Sequence, residues 1–190
     1  MKSTLAIASI LFKLRRKKMK MNPYLRFGLM ILTSMVTMFG LKYLTTYEVS
    51  HIYFSETRMY MAFLMGGAMA VIMLGYMLGM YKNGKWNTAI FVSSGVVLVI
   101  ALYLVRSQVL VDDKDYMEAM IPHHSIAILT SERAQIDDRR VRELANEIIR
   151  AQRREIKEMK WLIEDITTNG VADTVTKAAQ RPVPDFEGEL

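Results

Sequence analysis

Three His, sixteen Met and no Cys set the limits of the metal chemistry open to this chain. Without Cys there is no disulfide, no thiolate zinc or iron–sulfur site and no thiol nucleophile. His and Met are left as the borderline and soft donors. Two of the His are adjacent, in Asp115-Tyr116-Met117-Glu118-Ala119-Met120-Ile121-Pro122-His123-His124. Met117, Met120 and His124 follow i, i+3, i+7 and share one helix face. Imidazole binds either oxidation state of copper and a thioether favours Cu(I), so this face suits copper. Neighbours on a regular helix point about 100° apart. His123 and His124 therefore share an ion only if Pro122 distorts the turn; otherwise one ligates and the other faces solvent or supports it. A purely structural His pair is the plain alternative.

A second constellation lies downstream. Val141, Ala145, Ile148, Gln152, Glu155, Met159, Leu162 and Ile166 alternate steps of four and three, the periodicity of a packed helical seam. Gln152 and Glu155 interrupt it. A carboxylate on a seam is costly unless it is paired or bound to a cation. It either pairs with Arg150, Arg153 or Arg154 or belongs to a site. If the two segments fold back about residues 137–138, His124 faces Gln152, Met120 faces Glu155 and Met117 faces Met159. The candidate metal ligands are thus His123, His124, Met120, Met117, Met159 and Glu155. No HExxH, Glu-x-x-His, GxSxG or P-loop occurs, so no enzyme is expected.

The elements that must carry these residues fall into two unlike halves. Residues 1–110 hold 13 Lys+Arg and 2 Asp+Glu, a charge of +11; residues 111–190 hold 12 and 17, a charge of −5. Apolar runs from about Phe27 to Tyr47, Met59 to Tyr81 and Trp86 to Val105 are each near the ~20 residues that cross a bilayer. Lys42, inside the first, is expected to snorkel. Met61, Met65, Met69, Met73 and Met77 form a slanting ridge on the second, read as adaptable packing rather than an ion track. Gly75 and Gly79 have GxxxG spacing, which permits close helix approach. The basic flank from Lys13 to Arg26 and Lys82 with Lys85 mark the cytoplasmic side, since residues 48–57 hold no Lys or Arg and include Glu48 and Glu56. Three crossings then place the C-terminal half outside. Tyr43, Tyr47, Tyr53 and Tyr60 are expected as an outer aromatic belt, and Tyr24, Tyr81 and Trp86 as the inner one. The +6 overall therefore implies no nucleic-acid partner; the bilayer is the partner.

Asp112 or Asp113 starts a helix reaching about Gln135, and a second runs from about Arg139 to Thr167 before Asn169-Gly170. The expected organisation is a basic cytoplasmic segment at 1–24, a transmembrane region at 25–107, a helical domain at 111–168 and a mobile tail at 169–190. The fold class is all-α: three transmembrane helices followed by an extracytoplasmic antiparallel helical hairpin.

The stretch from Asp115-Tyr116-Met117 through Met120-Ile121-Pro122-His123-His124 to Ile128 resembles the family catalogued as domain of unknown function 305. Leu144-Ala145, Ile148-Ile149, Gln152, Glu155-Ile156, Met159 and Trp161-Leu162 resemble that family's second helix. The resemblance implies an exported, ferritin-like helical bundle, here a half-bundle, that binds copper through Met117, Met120, His123, His124 and Met159. Thr130 stands where relatives often have Met, so a ligand is absent or comes from elsewhere; His51 and Met59 share the outer side. A lone hairpin leaves apolar seam exposed, so a homodimer is expected. The reading is a membrane-anchored protein that binds or buffers copper outside the cytoplasmic membrane. The alternative is a metal-independent structural or interaction protein of the envelope.

Overall fold

The computed structural model describes residues 21–190, and every described element is helical. The basic segment 1–20, expected beside the inner headgroups, lies outside them. Helix α1 spans Pro23–Leu41, with Asn22 accepting from the Tyr24 amide and Pro23 in the first turn, where a missing N–H costs nothing. A 3₁₀ turn, Lys42–Thr45, extends it. Helix α2 spans Glu56–Met77 behind an N-cap at Ser55, and α3 spans Gly84–Ser107 behind Asn83. With the 3₁₀ extension, α1 makes a 23-residue span; α2 and α3 supply spans of 22 and 24 residues, all long and apolar enough to cross a membrane.

α2 is the central helix of the three. A Cβ on Gly66 would strike Met35 of α1, and one on Gly67 would lie 3.1 Å from Leu98 and 3.2 Å from the Ser94 carbonyl of α3. Close approach is therefore built at Gly66 and Gly67. The Gly75–Gly79 spacing does not serve it: Gly79 lies beyond the end of α2, and a Cβ on either would meet nothing. Met69, Met73 and Met77 of the ridge pack with Met35 around buried Phe27, Ile31, Ala70, Leu74 and Tyr81. At one end of the bundle Tyr24 stacks near Tyr81 and Trp86, with ring centroids at 5.1 and 6.0 Å. Its hydroxyl donates to the Asn87 side chain and accepts from the Asn83 amide. The inner aromatic set thus clamps α1 to the α2–α3 turn.

Helix α4 spans Asp113–Arg133. Asp112 and Asp115 form a reciprocal capping box at its start, which satisfies two otherwise orphaned amides. Pro122 is buried inside α4 without ending it. Helix α5 spans Arg139–Asn169, capped by Asp138 and stopped by Gly170 at positive φ. Met117, Ile121 and Ile128 of α4 share one buried cluster with Ile149, Ile156 and Met159 of α5. The buried stripe of α5 departs from the expected seam. Ala145, Ile149, Ile156 and Met159 are buried, whereas Val141 and Ile148 are exposed. With 3.6 rather than 3.5 residues per turn, a long straight helix drifts off a heptad seam.

The segment after Gly170, expected as a mobile tail, carries a short helix α6, Val175–Gln180. It also returns along α5: Arg181 pairs with Asp165 at 2.7 Å, and Lys157 and Arg153 donate to the carbonyls of Glu187 and Glu189. Basic residues on α5 attract an acidic terminus, a pairing the composition alone hides.

Candidate metal centre

The site is built where α4 meets α5. His124 Nδ1 lies 2.9 Å from the Met120 carbonyl, one turn back on its own helix. Its Nε2 lies 2.9 Å from Glu155 Oε2 on α5. Gln152 Nε2 donates to the same carboxylate oxygen at 3.3 Å. Both ring nitrogens thus meet an oxygen, and the 2.9 Å at Nε2 is a hydrogen-bond distance: an ion held by both groups would have to take the place of that contact. A metal-ligating His is commonly oriented by this kind of Nδ1 bond.

Met117 and Met159 are buried in the apolar cluster that α4 shares with α5, and Met120 packs against it, half-buried. His124 and Glu155 pair across the same two helices, outside that cluster. The facing register differs by one turn from the expected one: His124 meets Glu155 itself rather than Gln152. Glu155 takes no Arg partner among the described ion pairs; Arg154 pairs with Glu158 instead. Glu155 stays at the edge of the stripe, its side chain 37% exposed.

His123 goes elsewhere. Its ring centroid lies 6.1 Å from that of His124 at 67°, so Pro122 does not bring the two rings to one point. His123 opens into a cavity of about 360 Å³ lined by Met61, Met120, Lys42 and Arg58. Lys42 and Arg58 thus place two positive charges around the cavity that His123 faces. Thr130 returns its hydroxyl to the carbonyls of Ile126 and Ala127 and brings no donor to the site. Among the described residues no three His, Asp or Glu are grouped to hold a metal, so any ion here depends on thioethers.

The third His is bound into a different structure. Ser125, fully buried on α4, accepts from the Tyr47 amide at 2.7 Å and lies 3.0 Å from His51 Nδ1. The other ring nitrogen, Nε2, lies 3.7 Å from Glu48. Burial holds the His51 pKa below its ordinary value, with Lys160 adding to this and Glu48 opposing it. Tyr47 and Tyr53, expected in a lipid-facing belt, pack against the α4–α5 cluster. His51 is therefore a latch between the 46–55 segment and α4. The sequence signal for Ser125 was its place between Ile121 and Ile128 on the buried face.

A family model described as domain of unknown function (DUF305) matches residues 112–185, from the capping box of α4 to beyond α6. "Uncharacterized protein L153" of Acanthamoeba polyphaga mimivirus is 33% identical over 143 residues, which covers 72% of this chain and 92% of that protein. The chain belongs to the DUF305 family. The 143 matched residues exceed the 79 from Asp112 to Leu190, so the likeness runs into the apolar half. No solved structure matches the chain. The DUF305 match includes α4 and α5 together, the two helices that hold His124 and Glu155.

Proposed function

We propose that this DUF305 protein is anchored in the cytoplasmic membrane by α1, α2 and α3 and binds or buffers copper outside it. In this reading α4 and α5 form an extracytoplasmic antiparallel hairpin, half of a ferritin-like bundle. The observation that supports it is the His124 imidazole, its Nδ1 at the Met120 carbonyl and its Nε2 at Glu155, between the same two helices that bury Met117 and Met159. Imidazole and thioether together suit Cu(I), and the carboxylate balances the charge of the ion. The residues that would hold copper are His124, Met120 and Met159, with Met117 and Glu155 beside them. Copper is cargo here and no chemistry is assigned to it. No catalytic set accompanies the site, so the protein is read as a binder and not an enzyme.

Two copies complete the bundle. Val141, Leu144 and Ile148 remain exposed on α5 at helical spacing, an apolar face of the kind a second copy would cover. The same face would serve docking of a different envelope protein, the metal-independent alternative.

The test is titration of the detergent-purified full chain with Cu(I) against a competing chelator. His124→Ala with Met120→Ala is expected to weaken binding at least about tenfold, and His123→Ala to change it little. Equal binding by wild type and the double variant would sink the assignment.

A further inference from the structure

The cavity that His123 opens into carries a different chemistry from the metal centre. It lies where α1 ends, α2 begins and α3 finishes, beneath α4. Lys42 Nζ and Arg58 Nη1 are both buried there, and neither has a hydrogen-bond partner among the described residues. The two are close enough to repel each other. Two like charges out of water, each with unspent donors, cost several kcal/mol unless an anion lies between them. The nearby acidic group does not supply it: Glu56 faces Asp112, Asp115 and Glu118 rather than Arg58. Arg58 lays its guanidinium over the Tyr43 ring at 4.9 Å, while its Nη1 keeps an unpartnered donor. The neutral neighbours are already committed. Thr45 donates to the Lys42 carbonyl, Thr57 to Gln108, and Gln108 to the Val105 carbonyl. The donors still open in this wall are cationic.

We propose that the cavity binds the phosphate of an anionic phospholipid, with Lys42 and Arg58 as its two ligands. The position argues for a lipid over free phosphate. The site stands at the outer end of the three spans, and Met61, Met120 and Ile126 give its remaining wall an apolar character suited to a glycerol backbone. The charge argues for an anionic lipid, because a choline headgroup would add a third cation. Arg offers a planar fork to two phosphate oxygens and Lys a point charge to a third.

Native mass spectrometry of the full chain in detergent tests this, with phosphatidylglycerol, phosphatidylcholine and inorganic phosphate titrated separately. Phosphatidylglycerol should be retained about tenfold more tightly than phosphatidylcholine. Lys42→Gln with Arg58→Gln should weaken it at least about tenfold, the equivalent of about 1.4 kcal/mol. Lys42→Arg with Arg58→Lys keeps both charges and should keep most of the binding, which separates lost ligation from lost fold. Lys82→Gln with Lys85→Gln, at the other end of the spans, should change nothing. Equal retention of the two lipids, or equal loss in the Lys82/Lys85 variant, would overturn the site. Inorganic phosphate bound without any lipid retained would overturn the lipid assignment.

Discussion

At the scale of single residues, the three His divide into three environments that their spacing does not reveal. His124 lies between a carbonyl and a carboxylate, His123 faces a basic cavity, and His51 closes a relay from the Tyr47 amide through Ser125. A second proton on the His51 ring puts a positive charge in a buried place near Lys160, which weakens the packing that holds the contact. The groups facing the ring are Ser125, Glu48 and Lys160, with Arg153 and Lys157 lining the same cavity. The folded pKa is lowered, so the folded chain refuses a proton that the unfolded chain accepts near pH ~6.5. The latch's stability is therefore full above that pH and declines as pH falls through the lowered value. Hydrogen exchange of the 46–55 segment, corrected for the intrinsic rate, should be faster at pH 5.5 than at pH 7.5. His51→Gln should remove the difference; a wild type indifferent to pH would refute the relay.

At the scale of elements, the sequence was informative about where helices lie and less so about which faces they use. Asp112, Asp138 and Gly170 mark ends that the structure keeps within about two residues, because capping is local chemistry. The buried stripe of α5 was misjudged at Val141 and Ile148, because periodicity defines a face only to within the drift of a straight helix. The partner of His124 differs by a turn for another reason: the point about which the chain folds back sets which residues face each other, and residues 137–138 place it slightly too early. Close approach was sought in a spacing, Gly75 to Gly79, when only neighbouring side chains on α1 and α3 decide where a missing Cβ matters. Gly67 is that place, 3.2 Å from a backbone carbonyl that cannot move aside. Gly67→Leu should separate α2 from α3 and lower stability by about 1–3 kcal/mol, read as a lower melting temperature in detergent. Gly75→Leu, facing open space, should leave it nearly unchanged.

At the scale of the whole molecule, the outer loop and α4 touch, so they must lie on one side of any membrane that the three spans cross. The chain has no Cys, and introduced ones report cleanly. In intact cells a membrane-impermeant maleimide should label Ser50→Cys and Thr174→Cys and spare Asn83→Cys. Labelling of Asn83→Cys alone would invert the orientation. The exposed Val141, Leu144 and Ile148 make a further demand at this scale. The detergent-purified protein should have the mass of a dimer, and Leu144→Glu with Ile148→Glu should halve it. A wild type that is already monomeric would remove the second copy.

The Ser125 latch also imposes an order on biogenesis. Its hydroxyl lies 78 positions beyond the Tyr47 amide it accepts from. At roughly 5–20 residues per second, a ribosome needs about 4–16 s to cover that interval. Meanwhile α2, α3 and the start of α4 must all be made. Until then the Tyr47 amide and His51 lack the partner that joins them to α4. The contact therefore closes from its C-terminal side, onto a segment made long before.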